Sequence, residues 1–179
     1  GCHVHVEVAD AEEGVRVVDH LRRWNPVLLA LSANSPYWQG DDSGYASFRS
    51  QIWGRWPTAG PTAPFGDAAT YRRSVEDLVA SGTILDDGMV YFDARLSARY
   101  PTVEVRVADV CLDPQDAVLL AALVRALAET AVSGRPEPAP QPRTEVVRVA
   151  TWRAARSGLD DDLLSPLTGR PAPARAVLD

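Results

Sequence analysis

The sequence predicts an α+β fold in which a small antiparallel sheet carries helices on one face. Three strand-like stretches and one long helix support that expectation. In Pro101-Thr102-Val103-Glu104-Val105-Arg106-Val107-Ala108-Asp109, the valines alternate with Thr102, Glu104 and Arg106, and a period of two marks a strand with one face on a core. The stretches His3-Val4-His5-Val6-Glu7-Val8 and Met89-Val90-Tyr91-Phe92-Asp93-Ala94-Arg95-Leu96 repeat the arrangement. After Asp113-Pro114, the residues Val118, Leu119, Ala122, Leu123, Ala126 and Leu127 form an apolar helix face wide enough to cover the valine side of such a sheet.

With the apolar faces aligned, the opposite face collects His3, His5 and Glu7 from the first strand, Asp93 and Arg95 from the second, and Glu104 and Arg106 from the third. An antiparallel sheet commonly leaves one face to water, so charge alternation alone can mean solvation. The residue types argue for more. A merely wet face favours Lys, Thr and Ser, whereas these strands have no Lys and present His-x-His and Glu-x-Arg.

At 179 residues the chain suffices for one domain with a substantial core. A formal net charge of -6 argues against a nucleic-acid or anionic-membrane surface. All 18 basic residues are Arg. Cys2 and Cys111 show no metal-binding spacing and are expected as free thiols in a reducing cytoplasm. No apolar run approaches the roughly 20 residues that span a bilayer. The chain starts with Gly inside a strand pattern, so it is expected to be a fragment of something longer.

In chain order, acids in Asp10-Ala11-Glu12-Glu13 suit a helix start, followed at helical spacing by Val15, Val18, Leu21 and Trp24. Asn25-Pro26 opens a second, buried helix over Val27–Ala33. From Asn34 to Gly66 the pattern dissolves into a long loop, and its aromatics (Tyr37, Trp38, Tyr45, Phe48, Trp53, Trp56) argue for order and function. A short helix there would aim Arg49 and Arg55 at a shared site; aromatics packing the loop to the body, with both arginines on the rim, is the equal alternative. Asp67 caps a third helix that ends before Gly82, and Asp86-Asp87-Gly88 turns into the Met89–Leu96 strand, which forms a hairpin with the central one. The first 132 residues thus form the sheet-and-helix part. A proline-rich connection over 133–142 leads to a helix within 143–158 that carries Arg148, Trp152, Arg153 and Arg156, and residues 159–179 are expected to be a loose or truncated tail.

A lone His-x-His opens metal-dependent hydrolysis, but that chemistry needs further histidines, and the only other one, His20, lies on a helix. Glu104-x-Arg106 suits another task. A hard cation such as Mg2+ prefers oxygen ligands and bridges to phosphates, while Arg grips phosphate or carboxylate with a planar fork. Carboxylate, imidazole and several arginines on one sheet suit phosphoryl transfer from ATP to a carboxylate.

Four stretches carry a resemblance: Gly-Cys-His-Val-His-Val, Leu-Leu-Ala-Leu-Ser-Ala-Asn-Ser-Pro-Tyr-Trp, Gly-Tyr-Ala-Ser-Phe-Arg-Ser-Gln-Ile-Trp-Gly-Arg-Trp-Pro-Thr-Ala-Gly-Pro and Pro-Thr-Val-Glu-Val-Arg-Val-Ala-Asp. From Gly1 to about Gly158 the sequence resembles the carboxylate-amine ligases of glutamate–cysteine ligase family 2. The resemblance implies a truncated glutamine synthetase-like fold, with an antiparallel sheet curved into a funnel and helices outside. It implies ATP and Mg2+ as cofactors, glutamate and cysteine as small-molecule substrates, and an acyl phosphate on the way to gamma-glutamylcysteine. It also implies roles. His3 and Glu104 would bind metal, His5 would face the phosphates, Arg106 would steady phosphate or acyl phosphate, and Arg49 and Arg55 would hold substrate carboxylate or phosphate. Asp93, Arg95 and Arg153 are weaker candidates on position alone.

Family members begin with a strand bearing a Gly-Val-Glu-Glu-Glu-type motif, whose glutamates supply further metal ligands; this sequence has no such stretch. The isolated chain is therefore expected to be inactive, and its exposed sheet edge invites self-association into a homo-oligomer. The alternatives are an ATP-dependent ligase on another acid and amine, and a non-catalytic anion-binding module built on Arg49, Arg55 and Arg106. A sugar binder lined by the Trp-rich loop is a third.

Overall fold

The computed structural model describes residues 1–134 and 141–179. Its elements in order are β1 (Cys2–Glu7), α1 (Ala11–Leu21), α2 (Asn25–Ser32), β2 (Tyr37–Trp38), β3 (Asp41–Asp42), α3 (Phe48–Trp53), α4 (Ala68–Ala80), β4 (Ala94–Leu96), β5 (Thr102–Ala108), α5 (Pro114–Val132), α6 (Thr144–Ser157), β6 (Asp162–Leu164), β7 (Pro171–Pro173) and α7 (Ala174–Leu178). This is an α+β arrangement of small antiparallel sheets and helices.

The alternating stretches meet in one antiparallel sheet of order β1-β5-β4. Val103, Val105 and Val107 are buried in one core with Val17, Val18 and Leu21 of α1, Leu28 and Leu29 of α2, and Leu120 and Val124 of α5. A second cluster joins Val15, Ala68, Tyr71, Ile84, Val90 and Phe92. Burying a Val or Leu side chain contributes about 1.5–3 kcal/mol, so the valine face fixes which side of the sheet the helices take. The helix starts are set by local chemistry. Asp10, Asp67 and Asp113 accept hydrogen bonds from the backbone N–H groups of Glu13, Thr70 and Gln115, each satisfying a donor the helix leaves open.

Two expectations need correction. The stretch Met89–Leu96 is not one strand, because Asp87–Met89 form a 3-10 turn and only Ala94–Leu96 pair with β5. The loop after α3 takes the missing ladder positions. Thr58 Oγ1 donates to Met89 O and accepts from Tyr91 N, and Asp93 N donates to Gly60 O at 3.1 Å. Nor is the tail loose. β6 and β7 pair antiparallel, Leu163 and Ala174 are buried in the main core, and Arg153 Nε donates to Asp162 O at 2.6 Å. Three-residue strands are too short to show a period in sequence, which is why the tail reads as irregular. The proline-rich connection falls largely on residues 135–140, outside the described residues.

The long loop between α2 and α4 is held by side chains of the body. Both oxygens of Asp19 accept backbone N–H bonds from Phe65 and Gly66, Glu12 accepts from Ala68 N, and buried Arg22 donates to Thr62 O at 2.7 Å. Further along, Tyr45 packs edge-on against Trp152 of α6 and accepts its indole N–H. Gly158 ends α6 at φ 57 and ψ -125, where a Cβ would come within 3.2 Å of Ala46 Cβ. Only glycine adopts that backbone without strain.

Candidate active site

One row of residues crosses the open face of the sheet. His5 lies opposite Glu104 on β5, and Glu104 lies opposite Arg95 on β4. Glu104 is only 5% exposed, so this face is not simply wet. Its Oε2 accepts from Arg95 Nε at 2.7 Å and its Oε1 accepts from Arg106 Nη1, while His3 Nδ1 stands 2.9 Å from the same Oε1. His5 stands further off, with Nε2 at 3.9 Å from the same oxygen and Nδ1 at 2.9 Å from Thr102 Oγ1.

The register of β1 on β5 slips between Val4 and Cys2, so that Arg106 and Val107 together face His3. Such a bulge takes carbonyls out of the ladder and re-aims side chains. Arg49 bonds those carbonyls, donating from Nη2 to Arg106 O at 3.0 Å and from Nη1 to Val107 O at 3.3 Å. Gly1 allows this approach, since a Cβ there would stand 2.4 Å from Arg49 Nη2.

Burial raises the proton affinity of Glu104, but the hydrogen bond from Arg95 and the charges of Arg106 and Arg95 outweigh it and hold the carboxyl below its usual range. Burial and the charge of Arg106 hold the His3 imidazole below its usual value against the opposing pull of Glu104. His3 is then neutral near pH 7, with one ring nitrogen left to carry a lone pair. Arg106 is buried and lies over two rings, its guanidinium carbon 5.3 Å from the Trp53 centroid and 5.6 Å from that of Tyr91.

Beside Arg106 opens a cavity of about 420 Å³ between α3, the loop after it, β5 and α6. Arg49, Arg55, Arg106 and Arg148 line it, with Trp53 and a single acid, Asp93. Three buried polar atoms on this lining, Arg106 Nε, Trp53 Nε1 and Asp93 Oδ2, have no hydrogen-bond partner among the described residues. Buried polar atoms are rarely left so, and these three could bond to a polar ligand or to water. A larger groove of about 580 Å³ follows the free edge of β1 along α5, but no such set of atoms converges on it.

The structure thus brings His3, His5, Arg95, Glu104 and Arg106 into one cluster, with Arg49 and Arg106 lining the adjoining cavity and Arg55 at its exposed rim. Arg153 stands apart and serves β6. Sequence reasoning left out Asp109, which is 1% exposed and accepts from Asn34 N, Ser35 Oγ and Ser47 Oγ at 2.9, 2.7 and 3.1 Å. An acid ending the valine strand, in a chain that also contains an Asn-Ser pair, was the available signal. The contacts of Trp53 and Tyr91 with Arg106 had none.

His3 and Glu104 offer a divalent cation one imidazole nitrogen and one carboxylate, and both oxygens of that carboxylate are engaged. Among the described residues no group of three or more His, Cys, Asp or Glu is placed to hold a metal ion. The chain alone therefore fits Mg2+ only in part, with two adjacent donors.

A buried carboxylate bound by two arginines lies beside an arginine-lined cavity that could hold an anion. The comparisons with known proteins agree on the family. The model of glutamate–cysteine ligase family 2 (GCS2) matches residues 1–179, and the chain belongs to that family. It is 61% identical over 181 residues to "Putative glutamate--cysteine ligase 2" of Streptomyces coelicolor, covering 99% of this chain and 50% of that protein. It is 59% identical to a relative of similar name in Streptomyces avermitilis, again covering 50% of it, and 54% identical to one in Paenarthrobacter aurescens, covering 47%. The chain spans about half the length of these relatives. Among the described residues no helix is long and apolar enough to cross a membrane.

Proposed function

We propose that this chain carries part of the active site of an ATP- and Mg2+-dependent ligase that joins glutamate to cysteine. The observation that supports it most is the pairing of the Glu104 cluster with the arginine-lined cavity beside it. Forming an amide from a carboxylate needs the carboxylate oxygen replaced by a better leaving group, and transfer of the γ-phosphoryl group of ATP supplies one. Charge builds on the phosphoryl oxygens, where fixed cationic donors are worth most. Arg106, held by Glu104 and flanked by Trp53, is rigid enough for that task. Arg49 and Arg55 would bind substrate carboxylate or phosphate, and His5 would face the phosphates.

His3 and Glu104 would hold the Mg2+ with donors from outside this chain, and the ion would offset phosphate charge. The same reading makes the sheet one wall of a glutamine synthetase-like funnel. It also places the protein in the cytoplasm, in the synthesis of a glutathione-type thiol. Calorimetric titration of the chain with ATP, with and without Mg2+, tests the reading against that of an anion-binding module. Mg2+-dependent binding that Glu104→Gln abolishes supports the ligase. Binding indifferent to Mg2+ and to that substitution supports the module.

A further inference from the structure

We propose that Asp93 receives the amine substrate, binding its ammonium group in the cavity and taking a proton from it. The inference rests on the ligase reading above and adds to it a residue in contact with the nucleophile.

Placement comes first. Asp93 lies between buried Phe92 and Ala94, and its backbone is pinned on both sides: its N–H donates to Gly60 O at 3.1 Å and its C=O accepts from Arg106 N at 2.9 Å. The side chain therefore cannot swing clear of the cavity wall. Its Oδ2 is buried and has no hydrogen-bond partner among the described residues.

The surroundings say what is missing. The charged groups facing Asp93 are arginines: Arg49, Arg55, Arg106 and Arg148 line the same cavity, and Arg22 lies behind it with Asn25 at a void of about 10 Å³. Three of these have other work. Arg49 bonds carbonyls of β5, Arg106 bonds Glu104, and Arg22 donates to Thr62 O, Gln141 Oε1 and Pro142 O. A carboxylate or phosphate entering the cavity is repelled by Asp93 and drawn to the arginines. An ammonium group has the reverse preference, and Asp93 is the one acid on the lining.

The reaction needs such a group. An amine attacks only with its lone pair free, and near pH 7 an amino acid carries it as R–NH3+. One N–H bond breaks, its electron pair stays on nitrogen, and an O–H bond forms on Asp93. The nitrogen then attacks the acyl phosphate carbon. The C–N bond forms, the C–O bond to phosphorus breaks, and the second proton leaves on HPO4 2-. Asp93 returns its proton to water afterwards. Burial pushes its carboxyl up to about 7 against the charge of Arg49, which matches proton exchange at neutral pH.

The test is calorimetric titration of the chain with L-2-aminobutyrate, a thiol-free amino acid of cysteine's size, from pH 6 to pH 8. Ammonium binding to ionised Asp93 predicts an affinity about tenfold higher at pH 8 and release of about one proton on binding at pH 6. It also predicts a flat profile in Asp93→Asn and a retained rise in Asp93→Glu. The proton count needs only the wild-type chain, so a variant that fails to fold does not remove the test. An equal rise in Asp93→Asn, or no proton release at pH 6, overturns the assignment and leaves the ligase reading intact. No binding by the wild type at any pH overturns it too, and the ATP titration then judges the ligase reading separately.

Discussion

His3 Nδ1 and Glu104 Oε1 meet at 2.9 Å across the β1–β5 ladder, at the bulge where Arg106 and Val107 share His3 as a single partner. That contact joins the edge strand to the most charged spot of the sheet. It makes Glu104 the common partner of one imidazole and two guanidinium groups.

Glu104 holds the arginines as much as they hold it. Removing it in Glu104→Ala leaves buried Arg106 and half-buried Arg95 without their acid, and the loss of one partner of a buried pair costs about 3–5 kcal/mol. Urea unfolding should show a loss of that size, with a smaller one for Glu104→Gln, which keeps one acceptor oxygen. A loss under 1 kcal/mol for the alanine variant would mean the cluster is solvated.

His3 predicts a pH dependence with a definite sign. Its folded-state pKa lies below the ordinary value of 6.5, so below about pH 6.5 the unfolded chain takes up a proton that the folded chain refuses. Stability then falls as the pH drops below that value. His3→Gln should flatten the part of the stability profile between pH 6.5 and pH 5, measured by thermal unfolding. An unchanged profile would place the titration elsewhere.

Asp93 predicts the opposite slope. Its carboxyl is raised from 3.8 to about 7, so between those values the folded chain holds a proton that the unfolded chain has lost. Stability from this group declines as pH rises through the window, by about 4 kcal/mol at most. Asp93→Asn should therefore raise Tm at pH 8 and change it little at pH 4. Equal shifts at both would show that ionisation of Asp93 is not what the fold bears.

Asp109 anchors the site loop to the sheet. Asp109→Ala leaves Ser35, Ser47 and the Asn34 N–H without their acceptor, at a cost of about 1–3 kcal/mol for each buried group left unsatisfied. Hydrogen exchange should rise across residues 34–53, the segment carrying Arg49, with α4 unaffected. Uniform change over the whole chain would instead indicate global unfolding.

The sheet, its two faces and the helix covering it were legible because Val, Glu and Arg alternate over enough residues to show a period. The cluster followed from the same alternation, since Glu104, Arg106, His3 and Arg95 had to share a face. What the sequence did not show were relationships set by a bulge and by a loop. The slip opposite His3 leaves no mark in composition, and the capture of Tyr91 and Asp93 by Thr58 and Gly60 depends on how a distant loop folds back. Asp93 reads as one more polar residue on a wet strand face until that loop closes over it.

In the proposed function this chain contributes to a ligase that activates a carboxylate with ATP. The most direct measurement is phosphate release by the full-length protein that carries this sequence, supplied with ATP, Mg2+, glutamate and cysteine, beside its Arg106→Gln variant. Release that requires both amino acids, yields gamma-glutamylcysteine, and drops at least a hundredfold in the variant is the predicted result. Release independent of the amino acids, or untouched by loss of Arg106, would contradict the account.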